Sequence, residues 1–290
     1  MTLRVAVVGS TGGWHADRLT GALTARGHTC DFAPVTRMVG HTDPVPGVRS
    51  QSAALDGYDV VLVRGVPRGS LEQVVFRLDA LHVLAAAGVR AVNSAPAIER
   101  TVDKFLASAL LAQAGVPTPR TIACERSDDA AAAFAELGGD VVVKPLFGSM
   151  GFGMARVDDR DVADRVFRAL EIERAVYYLQ ETVAHDGRDV RAMVVGGRVI
   201  GAIERVGAGW RTNVARGGAP RATQLTGDQE RLCVRAAEVV GADYAGVDLL
   251  RAADGREVVL EVNGIPGWRG FEDATGIDVA AALVDHLEAP

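Results

Sequence analysis

Residues 245–263 read AGVDLLRAADGREVVLEVN, and they hold two carboxylates and an amide whose spacing could grip a cation. Asp254-Gly255 between two apolar runs is a strong hairpin signal. A two-residue turn there pairs Ala253 with Arg256 and, counting back along both strands, Asp248 with Glu261. Asn263 falls two residues beyond Glu261 and so shares its face. The other face then carries Val247, Leu249, Val258, Leu260 and Val262, a continuous apolar side. Directly opposed residues have Cβ atoms about 4.5–5.5 Å apart. Two carboxylates that close repel unless a proton or a cation lies between them. Oxygen donors of this kind suit Mg²⁺ shared with a phosphate. The plainer reading of the same pattern is a solvated outer face on which paired acids are tolerated. The turn Gly264–Gly267, stiffened by Pro266, would swing the backbone sharply away from such a site.

Phosphates need positive charge and backbone amides that come close. Lys144 ends the strand-like VVVK, and the loop FGSMGFG follows, with Ser149 between glycines. Gly148, Gly151 and Gly153 permit the close approach that donates N–H groups to oxyanions. The spacing is neither that of a P-loop nor that of a glycine turn opening a Rossmann helix. Gly9-Ser10-Thr11-Gly12-Gly13, after the first strand, lacks the dinucleotide spacing and reads as an ordinary first turn of an α/β lobe. A nicotinamide oxidoreductase built on that turn is the outlying alternative. Arg191, Arg205, Arg211 and Arg216 recur further on, with Asn213 between the last two. Several guanidinium groups converging would hold an anionic substrate bidentately. Taken singly, each suits an exposed hairpin position equally well.

These residues need a frame. LRVAVVG (3–9) is a buried parallel strand followed by a turn and a helix, and HTCDFAPV (28–35) and YDVVLVRG (58–65) repeat its character. SLEQVVFRLDALHVLAAAG (70–88) is helical and leads to VRAVN (89–93), so residues 1–95 form an α/β lobe. Residues 36–54, rich in Pro, Gly and Ser, read as a mobile surface loop. A helix over 103–115 has Asp103 as its N-cap and Gly115 at its C-terminal end. MARV (154–157) is the return strand that would make the glycine loop a hairpin tip. Beyond Tyr177 the chain is largely β, with helices near 226–240 and 277–289.

Bulk properties narrow the function. With 290 residues, 48% of them apolar, the chain can bury a sizeable core. Its net charge of −6 argues against a general nucleic-acid binder. The apolar start is too short for a signal peptide, and no apolar run is long enough to span a membrane. Three scattered cysteines, Cys30, Cys124 and Cys233, match no zinc spacing and suit reduced thiols in a cytoplasm.

In chain order, TVDKFLASALLAQAGVPTP, VVVKPLFGSMGFG, LQETV, DVRAMVVGGRVIGAIER, RTNVARGG, AGVDLL, LEVNGIPGWRG and ATGID resemble the ATP-grasp superfamily. Within it they look like the RimK-type carboxylate–amine ligases, over about residues 101–280. The resemblance implies an α/β (α+β) ATP-grasp fold in which two lobes, 96–184 and 185–290, clasp ATP behind an N-terminal pre-ATP-grasp domain. By position it implies Lys104 and Lys144 at the ATP phosphates, with Gln180, Glu181 and Val183 at the adenine and hinge, Glu181 accepting from the adenine amino group. Asp189 would lie at or near the ribose, and Arg211 and Asn213 would complete the nucleotide and substrate shell. Asp248, Glu261 and Asn263 would hold two Mg²⁺ ions, or Mn²⁺. Thr182 stands where close relatives commonly have Tyr, which puts the hinge packing in question.

The implied reaction is amide formation through an acyl phosphate, with Arg191, Arg205 and Arg216 holding the carboxylate and its phosphorylated form. No side chain reads as a general base for the amine. The resemblance favours L-glutamate added to a small-molecule cofactor of the pterin or furan type. A protein or peptide acceptor and a non-catalytic ATP-binding regulatory module are the alternatives. Trp210 and Trp268 suit stacking on an aromatic acceptor, or plain core packing. A homodimer or homotetramer is compatible with the family.

Overall fold

The structure, a computed structural model, describes residues 2–9, 13–148, 153–207 and 219–289. Of the residues singled out above, Ser10, Thr11, Gly12, Ser149, Gly151, Trp210, Arg211, Asn213 and Arg216 lie outside the described residues.

The first lobe runs β1 (Arg4–Gly9), α1 (Trp14–Ala25), β2 (Thr29–Pro34), β3 (Met38–His41), β4 (Gly47–Ser50), β5 (Ala53–Ala54), β6 (Val60–Val63), α2 (Leu71–Ala86) and β7 (Arg90–Val92). Four of these strands make a parallel sheet in the order β2-β1-β6-β7. Val5 to Val8 are buried on both faces, as a continuous apolar run in a parallel sheet must be. A capping box opens α2: the Ser70 hydroxyl accepts from the Gln73 N–H, and the Gln73 side chain accepts from the Ser70 N–H. The segment 36–54 is not a mobile loop. β3, β4 and β5 form an antiparallel meander whose Val48, with Leu55 just beyond, packs into the sheet's core. The meander is short and rich in glycine and proline, so its few buried side chains set no readable alternation.

Next come α3 (Ala95–Val102) and α4 (Lys104–Gln113). Ala95 and Ile98 join the first lobe's core, so that packing continues past residue 95. Asp103 caps α4 as expected, its carboxylate accepting from the Leu106 N–H at 3.0 Å. A second sheet, in the order β10-β9-β11-β8, is built from β8 (Thr121–Cys124), β9 (Val141–Lys144), β10 (Ala155–Val157) and β11 (Tyr177–Glu181). Helices α5 (Ser127–Glu136) and α6 (Arg160–Ile172) bury Phe134 and Phe167 against it. β10 returns antiparallel along β9, Val157 opposite Val141, so the glycine loop springs from a hairpin tip.

The third sheet is antiparallel, in the order β14-β13-β12-β15-β16: β12 (Arg188–Val195), β13 (Arg198–Val206), β14 (Ala219–Thr223), β15 (Tyr244–Arg251) and β16 (Glu257–Asn263). Helix α7 (Gly227–Val240) covers one face through Cys233, Ala236, Ala237 and Val240. On the other face, α8 (Arg269–Thr275) and α9 (Val279–Glu288) join Met193, Val195 and Ile203 in a core shared with β1, β6 and α1. That shared core ties the first lobe to the third. Asn93, wholly buried, reinforces the joint: it donates to the carbonyls of Tyr244 and Gly264 and accepts from the Tyr244 N–H. Cys30, Cys124 and Cys233 are free thiols.

The acidic hairpin differs from expectation in its turn and agrees in its critical pair. Ala252 donates to the Arg256 carbonyl at 2.8 Å and Gly255 has φ +87°, so the turn holds three residues, not two. A three-residue turn with a left-handed glycine is a common hairpin closure. Near the turn Arg251 therefore faces Glu257 and Leu249 faces Val259. A β-bulge that leaves Leu260 unpaired then restores Asp248 to Glu261 and Gly246 to Asn263. The apolar face is accordingly Val247, Leu249, Val259 and Val262. Val258 pairs with Leu250 on the opposite side, and Leu260 is only half-buried.

Candidate active site

Alternation puts Asp189 and Arg191 of β12, Arg205 of β13, Asp248 of β15 and Glu261 of β16 on one face of the third sheet. The register brings them side by side: Asp189 faces Arg205, Arg191 faces Asp248, and Asp248 faces Glu261. Arg191 grips Asp248 bidentately, Nε to Oδ1 at 2.6 Å and Nη2 to Oδ2 at 2.7 Å. Arg205 grips Asp189 in the same way, at 2.6 and 2.5 Å, and its Nη2 also reaches Asp248 Oδ2 at 2.9 Å. Burial pushes the Asp248 carboxyl up, but Arg191 and Arg205 outweigh it and hold it at about 2. Burial works against the Arg205 charge as well, and Asp248 and Asp189 overcome it, so Arg205 stays a cation.

Arg205 and Asp189 are each about 3% exposed in their side chains, so neither presents an open surface. Asp189, expected at or near the ribose, and Arg205, expected on a substrate, here meet each other. Together they form a buried strut that orients Asp248. Arg191 is more open and keeps Nη1 clear of Asp248.

The second sheet contributes cations. Lys144 ends β9 and donates to Gln180 Oε1 at 2.5 Å. Gln180 is itself buried, and its amide nitrogen donates to Thr121 Oγ1 and the Tyr178 hydroxyl. Gln180, expected at the adenine and hinge, here positions Lys144. Lys104, the first residue of α4, donates to the Gly148 carbonyl at 2.6 Å, which anchors the start of the glycine loop to the helix. Burial pushes the Lys144 ammonium down to about 8, with the Lys104 charge adding to it; Glu261 and Asp248 oppose both. Burial lowers Lys104 too, again against the pull of Glu261. The Glu261 carboxylate of the third sheet thus stands within electrostatic reach of Lys144 of the second sheet and of Lys104 of α4.

Glu181 ends β11, and its Oε1 accepts from the Arg120 N–H at 3.0 Å, leaving Oε2 available. Val183 lines a cleft of about 500 Å³ with Asp140, Arg156, Thr182, His185 and Gly207. Gly153 adopts φ +74°, a conformation that favours glycine, where the loop re-enters β10.

The metal set passes a test of its chemistry. Glu261 has no hydrogen bond or ion pair among the described residues, Asp248 Oδ1 takes one bond from Arg191, and Asn263 Oδ1 accepts only the Ile265 N–H at 3.0 Å. Each oxygen keeps a lone pair, and all three lie on one face of the hairpin, so the residues fit a hard cation. Gly264 lets the chain leave this face: a Cβ there would fall 2.5 Å from Thr101 Oγ1.

One cation escaped the sequence reading. Arg68 follows β6, and its Nη2 lies 3.4 Å from where a Cβ on Gly148 would be; its charge also lowers the Lys104 ammonium. The available signal was position, since ligands of open α/β sheets gather beyond the carboxyl ends of parallel strands. Trp268 corrects in the other direction. It is wholly buried in the core shared by the first and third lobes and cannot stack on an acceptor.

A parallel α/β lobe, a hairpin carrying a glycine loop and an antiparallel sheet presenting acids to lysines together make a site suited to phosphates and a cation. The comparisons with known proteins give the family. The family model described as the RimK-like ATP-grasp domain matches residues 101–287. The tetrahydromethanopterin:alpha-L-glutamate ligase of Methanosarcina acetivorans is 36% identical over 276 aligned positions, with 85% of each chain covered. A probable alpha-L-glutamate ligase of Serratia proteamaculans is 32% identical, covering 99% of this chain and 96% of its own. Among solved structures, the ATP-grasp ligase PsnB, complexed with a phosphomimetic variant of its minimal precursor, Mg and ADP, superposes with TM-score 0.76 at 27% identity, covering 98% of this chain and 97% of its own. The chain belongs to the RimK-like ATP-grasp family. It is an ATP-dependent ligase, of mixed α/β fold. Among the described residues no helix is long and apolar enough to cross a membrane.

Proposed function

We propose that this ligase joins L-glutamate through its amine to a carboxylate of a small-molecule cofactor or cofactor precursor, of the pterin or furan type, by way of an acyl phosphate. The observation that carries the reading is the convergence of Glu261, opposite Asp248, with Lys104 and Lys144. The similarity to a tetrahydromethanopterin:alpha-L-glutamate ligase over 85% of both chains supports the choice of substrates. In this reading residues 1–95 form the leading domain, and 96–184 and 185–290 are the lobes that clasp ATP.

Lys104 and Lys144 balance the ATP phosphates, helped by Arg68 and by N–H groups of the loop around Gly148, Ser149, Gly151 and Gly153. Glu181 and Val183 meet the adenine, and Arg211 and Asn213 complete the shell. The acceptor carboxylate, held by Arg191 and Arg216, attacks the γ-phosphorus in line and displaces ADP. The free amine of glutamate then attacks the acyl carbon, phosphate leaves with the bonding electrons, and the amine loses a proton. Positioning and charge do most of the work, so no nucleophilic side chain is required. Asp248, Glu261 and Asn263 would hold two Mg²⁺ ions, which when bound neutralise charge on the phosphoryl oxygens.

Incubation with ATP, Mg²⁺, L-glutamate and candidate pterin and furan acceptors should release ADP and raise the mass of one acceptor by a glutamyl unit. ADP release together with a different mass gain would overturn the glutamate assignment, and a gain on a peptide would overturn the small-molecule one.

Lys144 supplies a pH test. Its ammonium titrates near 8 in the free protein, and a bound phosphate favours the charged form. kcat/KM for ATP should therefore fall about tenfold per pH unit above that value. Lys144→Arg, whose charge does not titrate, should flatten the limb; a limb unchanged in this variant would remove Lys144 from the phosphates. Folding responds with the opposite sign. Because the folded value lies below the ordinary 10.5, the unfolded chain binds more protons between about 8 and 10.5, and stability rises through that window.

A further inference from the structure

Some arginines of this acidic chain have acids beside them: Arg18 meets Glu272 and Asp278, and Arg26 meets Asp285 and Glu288. Arg64 and Arg269 have no carboxylate partner among the described residues, and both stand at one aromatic cluster. The Arg64 guanidinium lies 4.1 Å from the Trp268 ring centre and donates to the Tyr244 hydroxyl and the Pro266 carbonyl. Arg269 reaches over the ring of Trp14, at the start of α1. His15 stands between them, with its ring edge-on to Trp14 at 5.0 Å and to Trp268 at 4.8 Å. Its Nε2 accepts from the Trp268 N–H at 3.1 Å, which leaves Nδ1–H as a donor. Burial, then Arg64 and Arg269, push the His15 imidazole down to about 4, so it adds no third charge. The buried Nε–H of Arg64 and Nε1–H of Trp268 have no acceptor either. The cluster holds two cations and several donors, and no anion.

Its place in the fold gives it a use. It lies at the seam of the first and third lobes, open to solvent at Gly13 and Gly267. It also adjoins the acidic hairpin, because the Pro266 that Arg64 holds comes three residues after Asn263. A Cβ on Gly246 would sit 3.2 Å from Pro266 and 3.6 Å from Arg191, so Pro266 stands against the arginine that grips Asp248.

We propose that Arg64 and Arg269, with His15 between them, form a subsite that clamps a non-reacting carboxylate of a small substrate beside the ligation centre. The clamp rests on the ligase reading for its role. Its ligand chemistry, a carboxylate met by guanidinium forks, rests on the cluster alone. Glutamate and an acidic acceptor both bring such a group, and the test tells them apart.

The wild type and Arg269→Ala should be titrated with L-glutamate and with glutarate, following tryptophan fluorescence. Arg269 is exposed and free of acids, so its removal strands no buried charge. Arg64→Lys, which keeps the charge and loses the fork, is the second variant; it risks the packing on Trp268, and Arg269→Ala keeps the test alive if it fails to fold. The expected result is saturable binding to the wild type that weakens about tenfold or more in Arg269→Ala, with ATP affinity unchanged. Steady-state kinetics then name the source: a KM rise for L-glutamate assigns the clamp to the amino acid, and a rise for the acceptor assigns it to that partner. Equal affinities in wild type and variant, or no saturable binding of either probe, overturn the clamp. Absence of ADP formation by the wild type would instead count against the ligase chemistry, which the titration does not use.

Discussion

Glu261→Gln should lower ADP formation by on the order of 10³-fold while leaving thermal unfolding where it is in the wild type. The two halves of that expectation have separate causes. Glu261 has no hydrogen bond or ion pair among the described residues, so the amide strands no partner and fills the same space. The charge is another matter. Glu261 raises the proton affinity of both Lys104 and Lys144, and among the described residues no arginine pairs with it. Its loss removes an open oxygen donor from the Mg²⁺ set and pushes Lys144 further below its value of about 8. The two contributions separate in the kinetics. Loss of a metal ligand should be relieved in part by raising Mg²⁺, whereas loss of charge on Lys144 should be relieved by lowering the pH and should show in the KM for ATP. Asp248→Asn is a poorer probe, since Asp248 is tied to two arginines and its change would disturb the sheet as well. A Glu261→Gln protein that turned over at close to the wild-type rate would remove the hairpin from the chemistry.

That the Asp248–Glu261 pair was legible in sequence owes something to cancellation. The turn is one residue longer than Asp254-Gly255 suggested, and the bulge at Leu260 takes that residue back before Asp248 is reached. Chemistry marked the pair, because opposed acids with an amide two residues on seldom arise without a cation to share. The partner of Asp189 shows the same geometry without the help. From the Gly196-Gly197 turn a regular hairpin would set Asp189 against Glu204; a bulge that leaves Ile200 unpaired brings Arg205 there instead. A bulge is a property of the whole sheet's twist and packing, and one residue in a strand does not announce it. The parallel strands were readable because burial on both faces leaves a plain apolar run, and the helix at 104–113 because Asp103 and Gly115 punctuate it. The meander at 38–54 was not readable, since its strands are too short for a period. Arg64 and Arg68 gain meaning only from lobes far off in sequence: Pro266 and Tyr244 for one, Gly148 for the other.

Arg205→Met should destabilise the protein by about 3–5 kcal/mol, a loss read from urea unfolding at neutral pH. Arg205 is the keystone of a buried row of charges, with two hydrogen bonds to Asp189 and an ion pair to Asp248. Methionine fills much of the same volume, so the cost is not mainly a cavity. It comes from withdrawing a buried guanidinium from two buried carboxylates, Asp189 and Asp248. Asp189→Asn placed on top of Arg205→Met should recover part of the loss, because it removes one of the two buried carboxylates from which Arg205 was withdrawn; a double variant no more stable than the single would show that packing, not charge, sets the cost. The pH dependence supplies a second check. The folded Asp248 carboxyl titrates at about 2, below the ordinary 3.8, so its pairing contributes fully above the ordinary value and is lost as pH falls toward 2. Part of that depression comes from Arg205, so the gap between wild type and variant should be widest above pH 4 and narrow through the same acid window. Activity should fall with the fold only in part. Arg191 still grips Asp248 in the variant, while the orienting contact from Arg205 is gone; a protein that stays folded and forms ADP at the wild-type rate would show that Arg191 alone sets the aim of Asp248.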